Sequence, residues 1–156
     1  MSDAALAAFS HIGLCVADVE RARRFYVDAL AFSNGPEAPI DGSMSGFLGM
    51  SDDVSGTARF LAHGAMTLEL LEFRTPEFVP SKGLRPINLG GLTHLSFRVP
   101  DVDAAAARIE ACGGSIVKTS RLSWKVGGVP MGELVFCTDP DGNRIELAQL
   151  VAPPAE

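Results

Sequence analysis

The sequence predicts an α+β fold built from two tandem β-α-β-β-β modules. Two internal repeats and a change of hydrophobic period carry that prediction. His11-Ile12-Gly13-Leu14-Cys15-Val16-Ala17-Asp18-Val19 lies over His94-Leu95-Ser96-Phe97-Arg98-Val99-Pro100-Asp101-Val102 at an offset of 83 residues. Thr67-Leu68-Glu69-Leu70 lies over Arg144-Ile145-Glu146-Leu147 at an offset of 77. In each half the apolar residues recur first at every second position and then at helical spacing, so a strand precedes a helix.

The elements follow in order. Ile12, Leu14 and Val16 alternate with His11, Gly13 and Cys15, and Leu95, Phe97 and Val99 alternate with His94, Ser96 and Arg98. Each set makes a half-buried strand with its histidine on the more polar face. Asp18 and Asp101 are N-cap residues, because a carboxylate there accepts from the free N–H groups of a first helical turn. Behind them Val19, Ala22, Tyr26 and Ala29 match Val102, Ala105, Ile109 and Cys112, one apolar side of a helix in each half. Gly113-Gly114 ends the second helix, and the first ends near Phe32-Ser33-Asn34-Gly35. Strands are expected over Gly46–Met50, Thr57–Ala62 and Met66–Phe73, the last two joined by a turn at His63-Gly64. In the second half they are expected over Ser115–Trp124, Met131–Cys137 and Asn143–Leu150, with Asp139-Pro140-Asp141-Gly142-Asn143 as the final turn. Residues 1–156 read as one domain: module 1 over about 8–74, a Pro- and Gly-rich linker over 75–91, and module 2 over about 92–151.

Composition narrows the function classes. The 156 residues carry Lys+Arg 13 against Asp+Glu 19, a net charge of −6, with no basic cluster to neutralise phosphates, so no nucleic-acid partner is expected. No uncharged apolar stretch approaches the ~20 residues that span a bilayer, and Met1–Phe9 carries Asp3 and no basic start, unlike a signal peptide. No membrane partner and a cytoplasmic location are therefore expected. Cys15, Cys112 and Cys137 are widely spaced and form no CxxC pair, so neither a disulfide framework nor a cysteine zinc site is implied.

The chain has only three histidines, and the two on strands occupy equivalent positions. Glu69 stands between Leu68 and Leu70, and Glu146 between Ile145 and Leu147. A carboxylate at mid-strand between apolar neighbours faces solvent, a partner or a metal, because burying it unpaired is costly. If a pseudo-twofold axis relates the modules, His11, Glu69, His94 and Glu146 converge. Two imidazoles and two carboxylates suit one divalent metal of borderline hardness, with positions left for water or substrate. His63 belongs to a turn, and Glu72 lies on the strand face opposite Glu69.

These motifs make the chain resemble the vicinal oxygen chelate superfamily, which includes glyoxalase I, methylmalonyl-CoA epimerase, extradiol dioxygenases and bleomycin- and fosfomycin-resistance proteins. The resemblance runs from His11 to Leu150. It is carried by His11…Val16-Ala17-Asp18 with Phe25-Tyr26…Leu30, Glu69-Leu70-Leu71, Gly91-Leu92-Thr93-His94, and Asp139-Pro140-Asp141-Gly142-Asn143-Arg144-Ile145-Glu146-Leu147. It implies a cupped mixed β-sheet with helices outside, and His11, Glu69, His94 and Glu146 match the family's four metal-ligand positions. It also implies a homodimer and a small-molecule substrate with vicinal oxygens. The cofactor it implies is one divalent metal ion, Ni, Co, Zn, Fe or Mn.

Among the family's reactions, a four-ligand set departs from extradiol dioxygenases, which use two histidines and one glutamate, and from bleomycin-binding members, which generally lack the ligands. Glyoxalase I and the epimerase keep all four. There two substrate oxygens chelate the metal, which stabilises the enolate left when a proton leaves the carbon next to a carbonyl. Glu146 or Glu69 would serve as the base. The resemblance thus implies a metal-dependent lyase, isomerase or epimerase. A non-catalytic binding protein of the antibiotic-resistance type and a dioxygenase or transferase stand as alternatives. Cys15 replaces the arginine usual in bacterial glyoxalase I, Phe73 replaces its glutathione-contacting asparagine, and Thr93 replaces a second histidine of the epimerase. Arg98 shares the His94 face and can hold a carboxylate or phosphate. Trp124, and Phe47 on an early strand, are candidates to line the cavity.

Overall fold

The computed structural model describes residues 8–151; the N-terminal run read for a leader lies, up to residue 7, outside the described residues. The chain divides into two compact units, one of residues up to Arg23 with Ala31–Phe78, the other of Arg24–Leu30 with the residues from Val79 onward.

In the first unit β1 (Ile12–Cys15) runs parallel to β4 (Met66–Thr75), which pairs antiparallel with β3 (Ser55–His63). The fourth strand, β2 (Ser33–Ile40), pairs with β3 at the sheet edge, giving the order β1-β4-β3-β2. Leu68 and Leu70 of β4 are fully buried, so Glu69 between them faces the other way. Helix α1 (Val19–Leu30) follows β1. Its first turn is held twice: Asp18 Oδ1 accepts from the Arg21 N–H at 2.8 Å, and Glu72 Oε2 accepts from the Val19 N–H at 2.8 Å. The β3–β4 hairpin turns at Gly64, whose φ of 58° suits glycine.

Two expectations fail in this unit. Ser33–Ile40 is a strand although its sequence lacks an apolar period and carries Pro36 and Pro39. Prolines are tolerated because β2 is an edge strand, where missing N–H donors leave no gap in the ladder. Gly46–Met50, in contrast, forms no strand. Gly42–Met44 is a 3-10 turn and Ser45–Leu48 a one-turn helix, α2. Asp41 accepts from the Ser43 N–H at 2.9 Å, and the Ser45 hydroxyl donates to Asp52 Oδ1 at 2.8 Å. Met44 and Leu48, four residues apart, then pack with Met50 against the buried Ile40, Val54 and Ala58. The apolar residues serve a helical spacing rather than an alternating one.

In the second unit β5 (Leu95–Arg98) runs parallel to β9 (Arg144–Leu150), which pairs antiparallel with β8 (Val129–Thr138). Strands β6 (Ser115–Ile116) and β7 (Leu122–Val126) both pair with β8. The expected single strand over Ser115–Trp124 is interrupted by a 3-10 turn at Lys118–Ser120. There the Ser120 hydroxyl donates to the Val117 carbonyl at 2.6 Å and accepts from the Phe136 N–H at 2.8 Å, supplanting ladder bonds. Helix α3 (Val102–Ala111) is capped by Asp101, which accepts from Asp103 and Ala104 N–H, and by Gln149, whose Oε1 accepts from the Val102 N–H at 2.9 Å. Gln149 lies 77 residues after Glu72 and Val102 lies 83 after Val19, so the last strand of each sheet caps the helix that follows that sheet's first strand. Gly114 closes the helix where a Cβ would stand 2.4 Å from the Thr138 carbonyl oxygen.

The final turn is a buried polar hub. Asp139, 2% exposed, accepts from the Tyr26 hydroxyl at 2.9 Å, from Asp141 and Asn143 N–H, and from Asn143 Nδ2. Burial, and secondly the Asp139 charge, push the Tyr26 phenol well above its ordinary pKa. No helix among the described residues is long and apolar enough to cross a membrane.

Candidate functional site

The two histidine/glutamate pairs form, each inside its own unit. His11 immediately precedes β1, and Gly13 pairs with Glu69 across to β4. The His11 Nε2 stands 3.2 Å from Glu69 Oε2. In the second unit His94 immediately precedes β5, Ser96 pairs with Glu146 on β9, and the His94 Nε2 stands 3.7 Å from Glu146 Oε2. In both units strand alternation sets the glutamate opposite its two buried apolar neighbours. Among the described residues no group of three or more His, Cys, Asp or Glu gathers as one cluster.

Several supporting residues escaped the sequence reading. The ring nitrogen away from each glutamate is hydrogen-bonded to the hydroxyl of the preceding residue: His11 Nδ1 to Ser10 Oγ at 3.0 Å, and His94 Nδ1 to Thr93 Oγ1 at 2.9 Å. A hydroxyl can donate or accept, so it holds either imidazole tautomer while Nε2 remains free to change partner. Each ring also meets a phenylalanine edge to face, His11 with Phe60 at 5.7 Å and His94 with Phe136 at 5.2 Å between centroids. Phe60 stands opposite Glu69 and Phe136 opposite Glu146 in strand register. The signal was present: Ser10 and Thr93 keep the offset of 83, and Phe60 and Phe136 stand 76 apart.

The pairs differ at one position. Ser96 donates to Glu146 Oε2 at 2.6 Å, whereas its counterpart Gly13 has no side chain, and a Cβ there would stand 3.8 Å from Glu69 Oε2. Glu146 is therefore held from two sides and Glu69 from its histidine. Arg144, on the same face as Glu146, lies over the Phe136 ring at 5.3 Å and donates to the Arg85 carbonyl at 2.6 Å.

The remaining candidates separate. Arg98 ends β5 on the Ser96 face and is exposed. Trp124 lies on β7, paired with Gly132 and 39% exposed. Phe47 is not on a strand: it sits on α2 and is 87% exposed, because Met44 and Leu48 take the inward positions of that turn. Glu72 caps α1.

Residues 8–147 match the model of the Glyoxalase/Bleomycin resistance protein/Dioxygenase superfamily. The chain belongs to this superfamily. A curated relative, the uncharacterized protein YaeR of Escherichia coli K12, is 30% identical over 139 residues, covering 88% of this chain and 92% of that protein. A glyoxalase family protein from Bacillus cereus superposes with a TM-score of 0.80 at 19% identity, covering 97% of this chain and 99% of that one. The fosfomycin resistance protein FosX of Listeria monocytogenes, complexed with Mn(II) and 1S,2S-dihydroxypropylphosphonic acid, superposes with a TM-score of 0.62 at 20% identity, covering 94% and 92%. Glyoxalase I of Zea mays gives 0.61 at 22% identity; this chain is covered to 92% and spans about half (45%) of that longer chain. At these identities the three structures establish the fold.

Proposed function

We propose that this superfamily member is a divalent-metal-dependent enzyme of the lyase or isomerase class, acting at a carbon next to a carbonyl. His11, Glu69, His94 and Glu146 would together hold the metal, from one chain or across a homodimer. The observation that carries the reading is the doubled motif: each unit aims a histidine Nε2 at a glutamate oxygen and ties the opposite ring nitrogen to a hydroxyl. Two imidazoles with bonded outer nitrogens and two carboxylates fit a borderline divalent ion such as Ni, Co, Zn, Fe or Mn. Such an ion, when bound, supplies Lewis acidity to a pair of substrate oxygens.

The chain's own residues supply the rest. Ser96 holds Glu146 by a 2.6 Å hydrogen bond, and Phe60 and Phe136 brace the histidine rings. A glutamate oxygen takes the proton from the substrate carbon and returns it, on the same or the opposite face. A fold neighbour, the fosfomycin resistance protein FosX, crystallised with Mn(II), supports the ion; the resemblance of His11, Glu69, His94 and Glu146 to the family's ligand motifs supports the residues.

The test is elemental analysis of protein purified without chelator, followed by NMR of α-proton exchange in deuterated water. The panel comprises 2-oxoacids, hemithioacetals and acyl-CoA thioesters. Bound or added divalent metal and exchange on one panel member are expected. Glu146→Gln should abolish exchange more completely than metal binding. Protein that holds no divalent metal and takes none up overturns the proposal. Thiol or oxygen consumption in place of exchange would move it to the transferase or dioxygenase reading.

A further inference from the structure

The sheet face that carries His94 and Glu146 continues beyond them. One strand row places Arg98 of β5 beside Ala148 of β9, Leu134 of β8 and Leu122 of β7. The next row places Leu150 beside Gly132 and Trp124. Side chains two apart on a strand share a face, so both rows lie on the side of Ser96 and Glu146. Neighbouring strands are about 4.8 Å apart, so the first row spans about 14 Å and begins about 7 Å along β5 from Ser96.

This floor is apolar and low in the middle. Leu122 is 51% exposed and Trp124 39%, Leu134 is half-buried, and the small, buried Ala148 and Gly132 lie between the larger residues. Gly132 cannot carry a larger side chain, because its Cβ would stand 2.4 Å from the Gln149 carbonyl oxygen. One charge stands at the edge of the floor. Arg98 is exposed and has no acidic partner among the described residues, whereas Arg144 of the same face is committed to the Phe136 ring and the Arg85 carbonyl. A guanidinium beside an apolar floor is complementary to an amphiphilic anion, and a carboxylate or phosphonate accepts two of its N–H groups at once.

We infer that this face takes a small molecule with an aryl or branched-alkyl body and one anionic group, the body on Leu122, Leu134 and Trp124 and the anion on Arg98. The inference rests on the metal-enzyme reading for the statement that the occupant is the substrate. The binding itself requires only the sheet face.

Trp124 is the chain's one tryptophan and so reports from the floor. Its fluorescence would be titrated with phenylpropanoate, phenylpropanamide and benzylphosphonate, in EDTA and again with Mn(II). Saturable binding of an anion, about tenfold tighter than the amide, is expected in both conditions. The tighter of the two anions then names the class. Arg98→Gln should reduce the preference over the amide to about twofold or less, by loss of the anion's affinity alone. Leu122→Ser, at a position 51% exposed, should weaken anion and amide alike and leave their ratio unchanged. Equal affinity for anion and amide, an Arg98→Gln protein that keeps the preference, or no saturable change with either anion overturns the inference. Protein that takes up no metal yet prefers the anion defeats the metal-enzyme reading and leaves this one standing; the reverse defeats this one alone.

Discussion

Replacing Tyr26 by phenylalanine isolates the polar hub under the final turn. The ring is fully buried and its hydroxyl donates to Asp139 Oδ2 at 2.9 Å. Phenylalanine keeps the ring volume, so the loss is one hydrogen bond to a carboxylate. Asn143 Nδ2 still donates to Oδ2, and two backbone N–H groups to Oδ1, so no acceptor is stripped bare. A hydrogen bond to a charged group contributes about 1.5–3 kcal/mol, and Tyr26→Phe should therefore cost about 2 kcal/mol at neutral pH. For a chain of this size that lowers the melting temperature by about 4–8 °C.

The same residue fixes a pH dependence. Burial and the Asp139 charge raise the folded pKa of Tyr26 above the ordinary value of 10.0. Above that value the unfolded chain loses the phenol proton while the folded chain keeps it, so the unfolded state binds fewer protons. The Tyr26 contribution is thus complete below pH 10.0 and is lost as pH rises toward the folded value, at up to about 1.4 kcal/mol per pH unit. The Phe variant lacks this term, so the gap in stability between the two proteins should narrow in alkali. Urea melts read by circular dichroism at several pH values measure the gap. Because Tyr26 is the chain's one tyrosine, tyrosinate absorbance reads its ionisation directly. Tyrosinate forming at the ordinary pH in protein that remains folded would refute the reasoning, as would a variant no less stable at neutral pH.

Two further substitutions probe the frame around the site. Gly114→Ala drives a methyl to within 2.4 Å of the Thr138 carbonyl and 2.9 Å of the Phe25 ring, and should cost about 3 kcal/mol or more in denaturant melts. Glu72→Ala and Gln149→Ala each remove the acceptor of a helix-opening N–H, at about 1 kcal/mol apiece. Glu72 adds a charge at the helix N-terminus, so its variant should lose more at low salt, and the difference between the two should shrink as salt rises.

The duplicated frame was legible wherever neighbours along the chain impose the structure. Alternation at Ile12–Val16 and Leu95–Val99 marked both first strands, and Asp18 and Asp101 marked both helix starts; the structure places each where it was expected. The edge strand Ser33–Ile40 was not legible, because an edge strand needs neither an apolar period nor all of its N–H donors. The segment over Gly46–Met50 misled for the converse reason. Its apolar residues answer to a cluster formed by Ile40, Val54 and Ala58, distant in register rather than in sequence. Phe47 fell with that segment.

By itself the sequence determined the fold class, the division into two repeated halves and His11, Glu69, His94 and Glu146 as the residues to watch, since repetition and period are properties of the chain. Tertiary structure alone decided what stands around them. Pairing across strands set Phe60 beside Glu69 and Phe136 beside Glu146. It also brought the Ser96 hydroxyl to Glu146, and to Glu69 only the hydrogen of Gly13. It also laid Arg98 in one row with Ala148, Leu134 and Leu122. Hydrogen-bond register between strands far apart in sequence fixes such neighbours, and no local propensity encodes it.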